Sequence, residues 1–281
     1  RIMSSNPSLH WGGFFIEVKL QKLTDLSPLN WISESTDQGL HPESPWSYLS
    51  EFLPSNFEAY CKIFHTIYED LSVTDRSITW DEADRRRGNT NSKGVLISGD
   101  PGETFEGQRI TWQSLASVYG LEYHPEITQD SFTENFPNGS WPKYLIAPEE
   151  GTLDEDECSK VVEVLESFTK GQPCYFFYNL LAQRSSSDSA GTLSTGNLSD
   201  VDALSGEKEY YLTPTYWWPE DKSWTVFTDF DYAFTLVGGS QEIIDSILNN
   251  EHLEAVAVEP ATRITPNSDQ INIKDDQTET K

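Results

Sequence analysis

"TYWWPEDKSWTVFTDFDYAFTLVGGS", residues 215–240, is the stretch that decides the fold. An aromatic run ends at Pro219-Glu220-Asp221-Lys222, and "SWTVFTDF" and "AFTLV" follow with β-branched and aromatic residues. Proline presets the dihedral of an early corner position and Asp bonds its own backbone, so 219–222 reads as a turn between two strands. Strands that follow one another so closely leave no room for a crossover helix, and the sheet is therefore expected to be antiparallel. Trp217 and Trp218 then point to opposite faces, because side chains alternate along a strand. A core on one side buries only one of them. Either both faces are covered, or one indole is presented to solvent as an anchor of the kind enriched at interfaces. Tyr216, Trp217, Trp218 and Trp224 are accordingly the candidate partner-binding residues, with core filling as the other role open to the same rings.

Working outward, "SQEIIDSIL" reads as a helix over 241–249, capped by Ser240, with Ile243, Ile244, Ile247 and Leu248 inward. "EAVAV" is a last strand. Upstream, "CYFFYNLL" at 174–181 is a continuous apolar run and so a central strand covered on both faces. A helix is expected over 153–169, with Thr152 and Glu155 as its capping box and Val161, Val164, Leu165 and Phe168 as its stripe. A shorter helix is read in "TWQSLASVYG", between the Thr111 cap and the Gly120 stop. In "FEAYCKIFHTIYED", Ala59, Cys61, Ile63, His65 and Ile67 alternate with Tyr60, Lys62, Phe64, Thr66 and Tyr68, which predicts one strand buried on both faces. "FFIEVKL" at 14–20 and "YYLT" at 210–213 read as further strands.

The expected architecture is α+β: a largely antiparallel, aromatic-rich sheet with two or three helices packed on it. One domain is expected over 50–265, with flexible loops at 70–108 and 184–208. An N-terminal strand and irregular connection over 1–49 precede it, and a polar tail over 266–281 follows. Within the first loop, "DEADRRRG" sets Asp81 and Glu82 four residues before Arg85 and Arg86, so a helical turn there neutralises itself, and a solvated segment is favoured over an anion site.

The totals narrow the function. With 46 Asp and Glu against 19 Lys and Arg, the formal net charge is −27. Such a field repels phosphate backbones and anionic lipid surfaces, which argues against nucleic-acid and membrane partners. It suits a basic protein partner or imitation of a phosphate backbone, and equally suits a general solubility role for carboxylates. Nine Trp, 12 Tyr and 14 Phe mark a chain that orders itself. Cys61, Cys158 and Cys174 have neither C-x-x-C spacing nor an even count, no run reaches the roughly 20 apolar residues of a membrane span, and no export signal is legible; the cytoplasm is expected.

Chemistry has few carriers. "TDFDYAF" places Asp229 and Asp231 on one face of a strand end, where two carboxylates could hold a divalent metal ion or share a proton. An apolar strand running into D-x-D resembles the metal site of nucleotide-sugar glycosyltransferases, but those enzymes carry a substantial acceptor-binding region after it and this chain has little length left. "LVGGSQEI" reads as a strand, a Gly-Gly turn and a helix start, able in principle to hold an anion. His65 falls on an apolar strand face and reads as a core imidazole, whereas His124 in "EYHPEI" lies within reach of Glu126. No H-E-x-x-H, G-x-S-x-G, phosphate-loop or dinucleotide fingerprint is present.

Taken together, "LPSNFEAYCKIFH", "ITWQSLASVYG", "HPE" and the 216–240 stretch resemble a group of uncharacterised bacterial proteins over about residues 50–265. The resemblance implies a bacterial cytoplasmic domain and no particular activity. The expectation is a non-enzymatic acidic interaction domain without a cofactor, such as an immunity or inhibitor protein for a basic toxin or nuclease. The alternative is a metal-dependent enzyme using Asp229 and Asp231 on a phosphorylated or sugar substrate.

Overall fold

The computed structural model describes residues 20–37, 47–86, 107–179, 191–205 and 212–272. In chain order the elements are β1 (Gln21–Leu23), α1 (Asn30–Ser35), β2 (Ala59–Phe64), β3 (Ile67–Asp70), α2 (Trp80–Arg86), β4 (Gly107–Ile110), α3 (Trp112–Tyr119), α4 (Gln129–Thr133), β5 (Leu145–Ile146), α5 (Glu155–Thr169) and β6 (Cys174–Tyr178). They continue with β7 (Thr192–Gly196), α6 (Asp200–Ser205), β8 (Tyr216–Pro219), β9 (Thr225–Phe227), β10 (Phe234–Gly239), α7 (Gln241–Leu248) and β11 (Ala255–Val258). One eight-stranded sheet runs β1-β7-β6-β8-β9-β10-β2-β11, and a three-stranded sheet runs β4-β3-β5. Among the described residues every strand pairing is antiparallel, so the fold is the α+β arrangement expected. Residues 14–19 of the strand read at 14–20, and Tyr210 and Tyr211 of "YYLT", lie outside the described residues.

The adjacency of Trp217 and Trp218 is resolved by covering both faces. Trp217 enters a core built from Cys61, Phe176 and Val237 of the sheet against Val161 and Leu165 of α5 and Ile243 and Ile247 of α7. Its ring meets Trp224 edge-on at 5.9 Å between centroids. Trp218, on the other face, stacks on Tyr175 at 5.4 Å and meets Trp31 of α1 at 6.1 Å. The segment expected to precede the domain thus supplies a cover for it: Leu23, Leu26, Leu29 and Ile32 pack with Trp218, Phe177 and Leu193. A second cover on that face, from Leu49, Leu53 and Ile264, closes over Tyr60, Phe227, Phe234 and Leu236. The small sheet has a core of its own, in which Trp112 stacks on Phe64 at 4.7 Å beside Phe132, Phe136 and Trp141.

Several local readings shift in the structure. The strand expected through 57–70 breaks after Phe64, and Ile67 begins the second sheet. At the break, His65 donates from Nδ1 to the Glu149 carbonyl (2.6 Å) and takes a hydrogen bond from Thr235 at Nε2 (2.9 Å). Burial pushes its pKa down to about 4, so it is the neutral core imidazole expected. The box of α5 forms two residues later than read: Asp154 caps, accepting the Glu157 amide (2.7 Å), because Leu153 is buried in the core and fixes where the chain turns. Residues 192–205, expected to belong to a flexible loop, instead form β7 and α6. Short Ser and Thr side chains fit beneath a covered sheet when both backbone edges are paired, here by β1 and β6. Gly238 and Gly239 end β10 and make no turn; an added Cβ on Gly238 would lie 2.6 Å from the Phe57 ring. At the α7 N-terminus Ser240 caps the helix and Glu58 accepts the Gln241 amide (3.1 Å).

An ion pair, buried on its carboxylate side, joins the small sheet to α5. Glu157 is fully buried and accepts from Arg109 of β4 (2.9 Å) and from the Thr66 hydroxyl (2.6 Å), while Tyr68 donates to Asp154 (2.8 Å). Burial and the Asp154 charge push the Glu157 carboxyl up to about 7, against the Thr66 and Arg109 contacts that lower it. A carboxyl raised on folding binds a proton in the native state that the unfolded chain has released. Its contribution to stability is complete below about pH 4.5 and is lost as the pH rises toward 7. Glu157→Gln is therefore expected to remove a downward component of up to about 1.4 kcal/mol per pH unit over that window. Urea midpoints of both proteins from pH 4 to 8 test this; parallel profiles would refute it.

Candidate functional site

Between the two covers on the Trp218 face lies a cleft of about 360 Å³ lined by Glu51, Phe52, Phe177, Asn179, Thr215, Tyr216, Phe227 and Asp229. Its position follows from the packing. Phe177 belongs to the cluster under α1, Phe227 and Phe52 belong to the cluster under Leu49 and Leu53, and Tyr216 touches both. Antiparallel β6, β8 and β9 set Phe177 opposite Tyr216 and Tyr216 opposite Phe227, which brings the aromatic walls together. Phe52 follows the 3-10 turn Leu49–Glu51 and lies 5.1 Å from Phe227 at an interplanar angle of 36°. Tyr216 lies 4.8 Å from Phe227 at 40°, its hydroxyl donating to the Phe52 carbonyl (3.0 Å).

Two carboxylates stand among these rings. Glu51 accepts the Tyr48 amide (3.1 Å) and Asp229 accepts the Asp231 amide (3.0 Å). Among the described residues, neither is in an ion pair with a Lys or Arg. Burial raises the Asp229 carboxyl above its ordinary value, the amide of Asp231 opposes this, and the charge of Asp231 adds to it. Glu150 is raised as well, by burial and then by Asp231 and Asp130. The Tyr216 and Tyr232 hydroxyls are pushed up by burial and then by Asp229, with Asp231 and Glu51 also acting on Tyr232. This end of the sheet therefore carries concentrated negative potential beside aromatic rings.

The expected site residues divide accordingly. Tyr216 and Asp229 meet in the cleft, and Asp231 is exposed just outside it. Trp217, Trp218 and Trp224 are 0%, 1% and 0% exposed, so the expectation that they contact a partner directly is corrected: the two-faced cover claims all three for cores. Asp229 and Asp231 share no strand face, because β9 ends at Phe227 and the two close a turn through the Asp231 amide. Among the described residues no three His, Cys, Asp or Glu side chains group so as to hold a metal ion. Glu51, Phe52 and Phe177 were not singled out from the sequence, since nothing local distinguishes them.

Other features are accounted for within the fold. The open hollow of about 530 Å³ at Glu82, Arg85, Arg86 and Asn138 includes two residues of the basic run, where Arg86 pairs with Glu82 (2.6 Å) and Arg85 donates to the Asp81 carbonyl (3.2 Å). His124 donates to Asp269 (3.0 Å) and takes the Glu126 amide at Nδ1 (3.3 Å). Cys61, Cys158 and Cys174 are buried and form no disulfide among the described residues. No helix among the described residues is long and apolar enough to cross a membrane. Comparison with protein-family models, with curated proteins and with solved structures returned no match.

Proposed function

We propose that this chain is a non-enzymatic acidic interaction protein of the bacterial cytoplasm that captures a basic protein, in the manner of an immunity or inhibitor protein acting on a basic toxin or nuclease. The observation that carries the reading is the carboxylate-bearing aromatic cleft between the two covers. Aromatic walls give an incoming group a desolvated contact, and carboxylates without a basic partner among the described residues give it a charge to neutralise. The surplus of 46 acidic over 19 basic residues supports long-range attraction of such a partner, which raises the rate of encounter.

Binding of the full chain to a panel of purified basic proteins, nucleases among them, and to acidic proteins of similar size tests the reading. Measurements at ionic strengths of about 0.01 M and about 0.15 M span screening lengths from about 30 to about 8 Å. Expected are complexes with one or more basic members only, an association rate that falls at least about tenfold at the higher salt, and loss of nuclease turnover where the partner is a nuclease. Absence of any complex with a basic protein at the lower ionic strength would overturn it.

A further inference from the structure

We infer that the outer edge of β11 is a docking strand, to which an extended segment of the basic partner adds as a further strand of the large sheet. The inference rests on the proposed capture of a basic protein and supplies a surface and a mode of binding.

The phase of the hydrogen bonds comes first. β11 ends the large sheet and is laddered to β2. The Phe64 amide donates to the Glu254 carbonyl (2.9 Å), and bonded pairs alternate along an antiparallel ladder, so Val256 and Val258 turn their backbone groups toward Lys62 and Tyr60. The amides and carbonyls of Ala255 and Ala257 therefore point away from the sheet, and among the described residues no hydrogen bond reaches them. Glu259, next in the same series, is closed by Thr262, whose amide donates to its carbonyl (2.8 Å) and whose hydroxyl accepts its amide (2.9 Å).

The second observation is that this edge is unguarded. Charged side chains and very short strands are the usual protection against pairing with another chain. β1 carries the exposed Gln21 and Lys22, β4 carries Arg109, and β5 has two residues. β11 reads Ala-Val-Ala-Val, with Ala257 exposed and Ala255 and Val256 half-buried. On the Ala255 face α7 runs alongside, and its Leu248 is half-buried at the margin of the same core, so small alanines leave room for larger apolar side chains of an added strand.

Charge selects the occupant. Glu251 and Glu259 flank the strand, both exposed and neither in an ion pair with a Lys or Arg among the described residues. Arg109, which donates to the His252 carbonyl, is paired with Glu157. A second copy would bring the same carboxylates and another net charge of −27 to this edge, whereas a basic segment neutralises them.

Residue-resolved amide exchange on the full chain, at an ionic strength of about 0.01 M, tests the mode. In the free protein the Ala255 and Ala257 amides should exchange at least about tenfold faster than those of Val256 and Val258. The probes are the peptide Lys-Val-Thr-Val-Thr-Val-Lys, its Glu-ended counterpart, and the lysine form N-methylated throughout its core. Expected is binding of the unmethylated lysine peptide alone, slowing exchange at Ala255 and Ala257 by at least about tenfold. Ala257→Pro removes an outward amide without touching the β2 ladder and should weaken that peptide by about tenfold; Ala257→Lys, which keeps the backbone intact and adds a like charge, should do the same. Exchange that the lysine peptide leaves unchanged, or equal binding of the Glu-ended or methylated peptide, would overturn the docking strand. Self-association of the free chain that Ala257→Pro abolishes would assign the edge to a second copy and overturn it too. Basic proteins that bind while exchange at Ala255 and Ala257 stays fast would overturn the docking strand and leave the capture standing. Failure of every basic protein to bind would overturn the capture, and this occupant with it.

Discussion

Replacing Asp269 by alanine is expected to lower the unfolding free energy by about 3 to 5 kcal/mol, read as a shift of the urea midpoint at neutral pH. Asp269 is buried and collects His124 (3.0 Å), the Ser131 hydroxyl (2.5 Å), the amides of Ile271 and Asn272 (2.9 Å each) and the Asn272 side chain (2.7 Å). Removing the carboxylate strands the buried His124 and Ser131 donors away from water and loosens the turn held by the Ile271 and Asn272 amides, and the desolvation of the unpartnered buried groups is the main source of the cost. The segment so held lies in what composition marks as a polar tail, and its anchoring is reinforced by the Glu126–Arg263 ion pair and by the Thr128 hydroxyl donating to the Pro266 carbonyl. Burial alone would raise the Asp269 carboxyl, but the bonds from His124, Ser131 and Asn272 outweigh it and hold it well below the usual range. Its contribution is therefore present above about pH 4 and is lost as the pH falls through the depressed folded value. Asp269→Ala should accordingly show a shallower acid limb than the wild type as well as a lower plateau. An unchanged midpoint at pH 7, or an unchanged acid limb, would show that the cluster does not anchor the segment.

Trp217→Ala is expected to cost about 3 to 5 kcal/mol, the range for emptying a buried aromatic site, and Trp217→Phe far less. The asymmetry has a specific origin. Trp217 Nε1 is buried without a hydrogen-bond partner among the described residues, so the phenyl ring gives up part of the packing but also removes an unsatisfied donor. Phe176 and Trp224 on one side and the α5 and α7 stripes on the other leave little freedom to collapse into the vacated space, which favours the upper part of that range for alanine. Chemical denaturation of the two variants checks this. A phenylalanine variant as unstable as the alanine one would place the value of Trp217 in its indole nitrogen and contradict the structure.

What could be read without coordinates was what depends on neighbours in the chain. The turn at 219–222, the caps at Thr111 and Ser240, the stripes of α5 and α7 and the apolar run of β6 are all set by residues within one or two turns of each other, and each element exists as expected. The cap of α5 moved by two residues because Leu153 is claimed by a distant core, which no local rule contains. β7 was hidden for a related reason: Thr192, Leu193, Ser194, Thr195 and Gly196 are weakly apolar, and their order comes from hydrogen bonds to β1 and β6, strands far away in sequence.

The sequence by itself determined an antiparallel aromatic sheet with amphipathic helices, a strongly negative surface, and the requirement that Trp217 and Trp218 seek partners on opposite faces, because alternation and helical period act between near neighbours. Tertiary structure alone decided that both indoles are enclosed, that α1 and the 49–53 turn share the second face, and that Glu51, Phe177 and Asp229 converge in the space left between them. The physical reason is that burial and electrostatic potential are set by what approaches a residue through space. Some of those contacts, such as Trp31 with Trp218 and Phe52 with Phe227, join positions more than a hundred residues apart, about which local patterning carries no information.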